Sequence, residues 1–288
     1  MRFVAFLGSK DLVELIGACI ENLRRIGVEL VIVTDYGSTD GSLEVLAEQE
    51  RKGDVWVLRL PSNVDYDTDP LRSERCVALA RASGAEWALI LDPDEFWLPA
   101  GGSLDELPEL TDADIVEIET YRVVLSRGQG FPDPRAFVPD RYGSIWLHGR
   151  SPDKDKWPRI MVRPSAMFAT TEGDHDVALA PGRNWRRVVA DNLLVAHLPF
   201  TTLERFERKV ANIRRFYNRN QDWFAKGLGT HWLEWLRSAD EGKTSEVFDR
   251  QVLDDDRLAQ MIEAGSVRSA ADILATRRVE RSGSADTV

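Results

Sequence analysis

The sequence predicts an α/β fold with a mostly parallel central sheet flanked by helices, followed by a C-terminal helical extension. Two observations indicate the sheet. Strand-like and helix-like patterns alternate along residues 3–91, as in successive β-α units. The strand-like segments are continuous apolar runs, which is typical of strands covered on both faces. With 288 residues and 43% hydrophobic content, the chain is long enough to bury a sizeable core.

Each element of the first part follows from its pattern and from the residues that end it. Gly27 ends the first helix, and β-branched residues dominate the strand after it. The predicted strands are 3–7, 29–34, 55–60 and 87–91, and the predicted helices are 12–26, 42–51 and 71–83. Ligands bind beyond the carboxyl ends of such strands, so residues 8–9, 35–40 and 92–96 should converge on one crevice.

The pattern changes after about residue 112. Residues 115–124 and 159–163 are predicted as longer strands, and the Pro/Gly-rich stretch 128–158 between them as a binding or lid loop. Thr201 to Glu204 has the spacing of a capping box and starts a long amphipathic helix. We therefore divide the chain into one domain, 1–200, with halves 1–125 and 126–200, a helical region, 201–264, and a flexible tail, 265–288.

Composition narrows the classes of partner. The formal net charge of −11 makes nucleic acid an unlikely partner, although it does not exclude a local basic patch. Cys19 and Cys76 have no metal-ligand spacing and are expected to be buried thiols. No stretch approaches the roughly 20 apolar residues of a membrane span, which predicts a cytoplasmic protein.

Two polar segments carry the chemistry. The buried strand 87–91 runs into Asp92, Asp94 and Glu95, whose mutual repulsion calls for a cation such as Mg²⁺ or Mn²⁺; the alternative is a solvated acidic turn. After the second strand, Asp35 can hydrogen-bond a base or ribose. Asp40 and Ser42, in the same segment, can cap the next helix instead.

These segments resemble the family-two-like glycosyltransferases with a GT-A fold. Residues 35–42 have the form Asp-x-x-Ser-x-Asp-Gly-Ser, and residues 92–96 have the form Asp-x-Asp-Glu-Phe. The later segments 156–164, 173–175, 196–200 and 206–210 also look like blocks of this group, so that the resemblance covers about residues 3 to 215.

The resemblance implies a divalent metal, Mn²⁺ or Mg²⁺, and a nucleotide-diphosphate sugar as donor. Asp94 would bind the metal, Asp92 the metal or the ribose, and His197 would complete the site in preference to His148 or His231. Half 1–125 would bind the donor and half 126–200 the acceptor. The donor-binding residues would be Phe6, Gly8, Asp35, Ser38, Arg72, Arg75 and Asp92.

Inversion at the anomeric carbon requires a base on the acceptor hydroxyl. Asp174, beside His175, is the favoured residue, with Glu172 and Asp155 as alternatives. The Glu-Asp pair familiar in this group is absent, and Pro93 stands where the group commonly has a small residue.

The resemblance thus implies a metal-dependent, inverting transferase acting on a hydroxyl acceptor that is a glycan, a lipid-linked molecule or a small molecule. The alternatives are a nucleotidyltransferase, an inactive sugar-nucleotide-binding or scaffold protein, and a transferase acting on a modified nucleic-acid base. Trp232 and Trp235 are predicted to pack in a core or interface. The basic run between Arg205 and Arg219 is predicted as a solvated face or a site for an anionic or lipid-linked acceptor.

Overall fold

A computed structural model describes residues 2–128, 133–148, 158–171 and 175–285. The strands are β1 Phe3–Ser9, β2 Leu30–Asp35, β3 Val55–Arg59, β4 Trp87–Leu91, β5 Glu95–Pro99, β6 Ile115–Ile118, β7 Thr120–Val123, β8 Leu125–Ser126, β9 Trp146–His148, β10 Arg159–Val162, β11 Met167–Thr170, β12 Val177–Leu179, β13 Arg187–Val189, β14 Leu193–His197, β15 Val252–Leu253 and β16 Val267–Ser269. The helices are α1 Ile16–Arg25, α2 Ser42–Glu50, α3 Arg72–Ala82, α4 Leu203–Arg219, α5 Gln221–Ala225, α6 Thr230–Asp240, α7 Thr244–Asp249, α8 Asp255–Glu263 and α9 Ala270–Ala285.

The centre of the molecule is a seven-stranded sheet in the order β13-β6-β10-β4-β1-β2-β3. Strand β1 pairs in parallel with both β2 and β4, with Phe6 opposite Ile32 and Ile90. Strand β10 runs antiparallel between β4 and β6. The predicted α/β class, with a helix-flanked central sheet and a C-terminal helical region, is confirmed.

The apolar runs of this sheet are continuous because both of its faces are covered. Phe3, Ala5 and Leu7 pack into the cluster that contains the buried face of α1. The alternate residues Val4 and Phe6 pack on the other side with the buried face of α3. Successive side chains of a strand point to opposite faces, so every position of β1 must be small or apolar.

A second, five-stranded sheet has the order β16-β9-β7-β14-β5. Two of the passages from the central sheet to this one are short, the turn that joins β4 to β5 and the single residue Glu119 between β6 and β7. The strand predicted over 115–124 is therefore two strands in two sheets. The sequence pattern could not reveal this break, because no glycine or proline separates the two strands.

The predicted halves 1–125 and 126–200 do not form separate parts of the central sheet. Strands β10 and β13, from the predicted acceptor half, belong to the seven-stranded sheet, and β10 lies beside the central strand β4. The two halves therefore share one core. The reason is non-local pairing, which local sequence patterns do not encode.

The helical region packs a core of its own against Leu125 of β8 and Phe200. Phe206, Val210 and Ile213 of α4 meet Leu236 of α6 and Val247 of α7. An amphipathic helix starts here as predicted, but its cap lies one residue later than the predicted box. The Thr202 hydroxyl, and not that of Thr201, accepts a hydrogen bond from the Arg205 amide.

The prediction of a flexible tail from residue 265 is wrong for its first part. Val267 lies in β16, which pairs with β9, and Ala270, Ile273 and Leu274 of α9 are buried in the main core. The tail prediction relied on its polar composition. These four buried side chains attach the segment to the core. They occupy only eight residues, which is too short a stretch to show a clear helical periodicity in the sequence.

Both cysteines are buried free thiols, as predicted. In the part of the chain that the structure describes, no helix is long and apolar enough to cross a membrane.

Candidate functional site

A cavity of about 580 Å³ opens at the carboxyl ends of the parallel strands, between the two sheets and the helical region. Gly8 at the end of β1, Asp92 and Asp94 after β4, and His197 at the end of β14 all line it. His175 lines it as well. Parallel strands end at one edge of a sheet, which explains why residues distant in sequence meet there.

The turn between β4 and β5 sets the position of the acids. The Glu95 amide donates to the Asp92 carbonyl across 3.0 Å and closes the turn. Glu95 then pairs with His197 in the second sheet, and the Leu198 amide donates to the Asp94 carbonyl across 2.7 Å. The sheet ladder therefore holds Asp94 against the end of β14.

Asp94 is buried and surrounded by cationic side chains. Its Oδ2 accepts from Arg205 Nη2 at 3.1 Å and lies 3.9 Å from Lys209 Nζ, and its Oδ1 lies 3.6 Å from His197 Nε2. Burial by itself would raise the pKa of Asp94, but His197, Lys209 and Arg205 outweigh it and hold that pKa well below its ordinary value. Asp94 is therefore a carboxylate at neutral pH.

Arg159 holds the other two acids of the turn. It starts β10, is buried, and pairs with Asp92 and, through Nε at 2.5 Å, with Glu95. Burial raises the pKa of Glu95 to about 7, with Asp92 and Asp94 adding to the shift and Arg159 opposing it. The acidic turn is therefore paired, because the strand beside β4 supplies a buried cation, and within it Asp94 and Glu95 are buried while Asp92 is partly exposed.

Asp94 and His197 are close enough together to share a divalent metal ion. Two ligand atoms at right angles, each about 2.1 Å from a Mg²⁺ ion, lie about 3 Å apart, so Asp94 Oδ1 and His197 Nε2 need to approach only slightly to share one. The Asp92 carboxylate is paired with Arg159. Across the described residues, no group of three or more His, Cys, Asp or Glu side chains is arranged to hold an ion. The residues present therefore fit a two-ligand site that phosphate oxygens would complete.

The predicted donor-binding residues Asp35 and Ser38 lie beneath the surface. Asp35 Oδ1 accepts from the amides of Gly37 and Ser38, and its Oδ2 accepts from the Ser38 hydroxyl. Ser38 Oγ also accepts from the Asp11 amide. Both side chains are buried and shape the loop after β2, and neither lines the cavity.

Phe6, Arg72 and Arg75 line a second, much smaller cavity of about 30 Å³, which Gly8 shares with the large one. Tyr66 covers Gly8 so closely that a Cβ on Gly8 would overlap the Tyr66 ring. The Arg72 guanidinium lies 4.3 Å from the centre of that ring, and Arg75 pairs with Asp69. These arginines thus hold residues 66–69 over the end of β1.

The sequence placed Ser9, which follows Gly8 in β1, in the crevice but did not single it out as a binding residue. Its hydroxyl is buried at the cavity wall and has no hydrogen-bond partner among the described residues. Such an oxygen is costly unless a ligand or water satisfies it. Its only signal in the sequence was its place at the end of the first strand.

The basic run on α4 is divided between the cavity and the surface. Arg205, Lys209, Arg215 and Arg219 line the cavity, whereas Arg208 pairs with Glu14 and Glu204. The prediction of one solvated face is therefore wrong, because the helix packs with this side over the sheet edge. Among the described lining residues, Lys and Arg outnumber Asp and Glu by seven to six, although the whole chain has 37 against 48.

Trp232 and Trp235 of α6 also form part of the cavity wall. Trp235 packs edge-on to Phe206, with ring centres 5.3 Å apart, so the packing role predicted for it is combined with a wall position. The base candidates Asp174, Glu172 and Asp155 lie outside the described residues.

No protein-family model matches this chain, and no curated protein sequence matches it. Among solved structures, a fragment of S. aureus TarS, residues 1–349, is 15% identical with a TM-score of 0.43. The match covers 76% of this chain and 66% of that fragment, so the chain spans just under two thirds of its length.

The same fragment with UDP gives 13% identity and a TM-score of 0.39, with the same coverage. Glucosyl-3-phosphoglycerate synthase from Mycobacterium tuberculosis, with Mn²⁺, UDP and glucosyl-3-phosphoglycerate, gives 15% identity and a TM-score of 0.35 over 71% of this chain and 74% of that one. At such scores these likenesses do not establish a shared activity.

Proposed function

We propose that this chain is a glycosyltransferase of the GT-A type, which moves a sugar from a nucleotide-diphosphate donor to a hydroxyl acceptor. The observation that carries the proposal is the cavity itself. It brings the end of β1 and the acidic turn after β4, at one edge of the central sheet, together with the end of β14 from the second sheet, and cations from α4 face it. Its volume suits a nucleotide sugar.

The donor would lie along the carboxyl edge of the sheet. Ser9 offers an unpaired hydroxyl beside Gly8, and Tyr66 is an aromatic residue of the cavity wall that a base can contact. Lys209, which is near Asp94 but lacks a close ion pair with it, can attract the diphosphate. Burial lowers the pKa of Lys209, with Asp94 opposing and Arg205 adding to the shift.

A divalent ion bound by Asp94 and His197 would neutralise charge on the departing diphosphate. The chain's own groups carry the remaining steps. The acceptor oxygen attacks the anomeric carbon, and the bond from that carbon to the diphosphate oxygen breaks with its electron pair. The acceptor proton passes to a base, for which our candidates are Asp174, favoured from the sequence, and the next residue, His175, which lines the cavity.

The test is thermal stability in the presence of UDP-, GDP-, CDP- and dTDP-sugars, with and without Mn²⁺, because a ligand that binds only the folded protein raises its melting temperature. We expect one nucleotide to raise it and Mn²⁺ to enlarge the shift. The shift should fall in Asp94→Asn and persist in Asp249→Asn, which alters an exposed acid paired with Arg127. If no nucleotide stabilises the protein in either condition, the proposal fails.

One observation favours a second candidate, a protein that binds sugar nucleotides without transferring the sugar. Asp92 and Asp94 each have an internal cation, Arg159 and Arg205. Turnover separates the candidates. A transferase releases nucleoside diphosphate from the donor that stabilises it, at least slowly by hydrolysis, whereas a binding protein leaves that donor intact.

A further inference from the structure

Two polar side chains of strand β7 line the cavity and are not part of the proposed donor site. Thr120 and Arg122 are two residues apart, so they lie on the same face of the strand, and both line the cavity. The Thr120 hydroxyl is buried and has no hydrogen-bond partner among the described residues. It is therefore available to a ligand in the cavity.

Arg122 is a cation without a carboxylate partner among the described residues. Its Nη1 donates to the neutral Gln251 Oε1 across 3.2 Å, and its guanidinium lies 5.9 Å from the centre of the Phe200 ring. The side chain is open to solvent through the cavity, yet enough protein surrounds it for burial to lower the pKa of Arg122. Most cavity arginines differ from it, because Arg159, Arg205, Arg215 and Arg219 all face carboxylates.

The strand register places Arg122 away from the acidic turn. His197 pairs with Glu95 on one side and with Arg122 on the other. Neighbouring strands are about 4.8 Å apart, so Arg122 lies one strand beyond His197 and about two strands from Glu95. Lys209 lies between the two regions, since it is close to Asp94 and lies 5.9 Å from the Trp235 ring centre.

The geometry points to an acceptor subsite for an anionic group at Thr120 and Arg122, with Phe200 and Trp235 as its apolar wall. The ligand is a hydroxyl-bearing molecule with a carboxylate or a phosphate, both of which pair well with guanidinium. An aromatic wall beside the cation suits a sugar ring in such a molecule. This inference rests on the proposed function, since it names the class of acceptor that the transferase takes.

The test uses three ligands that differ in one group: glucose, glucuronate and glucose 6-phosphate. We expect both anions to bind the unmodified protein on the order of tenfold more tightly than glucose in calorimetric titrations, because one charge-assisted pair contributes that much. The tighter of the two identifies carboxylate or phosphate as the natural group. Equal affinity for all three ligands would overturn the inference.

Substitutions in β7 test whether this strand causes the preference for anionic ligands over glucose. Arg122→Gln should abolish the preference for anions, and Arg122→Lys should keep most of it. Thr120→Val should weaken anion binding several-fold. Arg127→Gln, in the exposed pair with Asp249, is the matched control and should bind as the unmodified protein does. A full anion preference in Arg122→Gln, or an equal loss in Arg127→Gln, contradicts the subsite.

Nucleotide binding distinguishes this inference from the proposed function. Arg122→Gln should retain the nucleotide-induced rise in melting temperature, because Arg122 lies outside the donor region. If the unmodified protein binds no nucleotide but prefers anions through Arg122, the proposed transferase fails and the anion site stands. If it binds nucleotides but shows no preference for anions, the proposed transferase stands and the anion site fails.

Discussion

Arg205 Nη2 on α4 donates to Asp94 Oδ2 in the turn before β5, across 3.1 Å. The same guanidinium donates through Nη1 to the carbonyls of Leu198 and Pro199. One buried side chain therefore joins the helical region to the edge of the sheet and to the end of β14, and it fixes the acid on which the candidate site depends.

We predict that Arg205→Met lowers the free energy of unfolding by about 3 kcal/mol, because it leaves the buried Asp94 carboxylate without its closest cation. Urea denaturation measures this loss. The control is Arg208→Met, on the same helix, whose ion pairs with Glu14 and Glu204 are more exposed. Equal losses in the two variants would show that the Arg205 contact is not special.

His197→Ala should reduce the part of the nucleotide-induced thermal shift that depends on Mn²⁺, because it would remove one of the two ligands of the proposed metal site. A loss of about tenfold in the apparent affinity for Mn²⁺ is expected. His148→Ala is the control, since His148 lies on β9 of the same sheet and does not line the cavity. Unchanged Mn²⁺ dependence in His197→Ala would remove His197 from the proposed metal site.

Gly8→Ala should destabilise the protein by about 1–3 kcal/mol, because the new methyl group overlaps the Tyr66 ring. Adding Tyr66→Ala should recover part of that loss, which a thermal or urea melt of the single and double variants measures. Gly143→Ala, where no atom lies within 4 Å of the new methyl group, is the control. Additive losses in the double variant would contradict the close packing.

Asp54→Asn should cost about 1 kcal/mol at neutral pH and progressively less in acid. The hydrogen bond from Arg24 to Asp54 lowers the pKa of Asp54 in the folded protein. Its stabilising effect is therefore complete above the unfolded pKa of about 3.9, and it is lost as the pH falls through the folded value. Unfolding free energies at pH 7, 5 and 3.5 test this, and a difference that grows towards acid would contradict it.

Ile273→Ala should lower the free energy of unfolding by about 2–4 kcal/mol, since its side chain is buried in the main core. Ile262→Ala, on the half-buried face of α8, should cost less. If Ile273→Ala had no effect, α9 would not be part of the core.

The sequence alone was sufficient for the first part of the fold. The elements from β1 to β4 depend on local patterns, namely continuous apolar runs, helical periodicity and glycine stops, and these act within a few residues. Asp92 and Asp94 were also predictable as cavity residues, because they follow a parallel strand of the central sheet and such strands end at one edge. His197 followed only from the family resemblance, since β14 belongs to the second sheet.

Only the tertiary structure decided how these residues are paired. Arg159, Arg205 and Arg122 reach the cavity from β10, α4 and β7, far from the acidic turn in sequence, and no local spacing connects them to it. The same holds for Asp35. Its position at the end of β2 predicted a cavity residue, whereas in the structure its buried carboxylate accepts hydrogen bonds from Ser38 in the following loop. Which charged residues meet, and which become buried, depends on which strands are neighbours in the sheets. Strands far apart in the sequence become neighbours only in the folded chain, so local sequence patterns do not show these contacts.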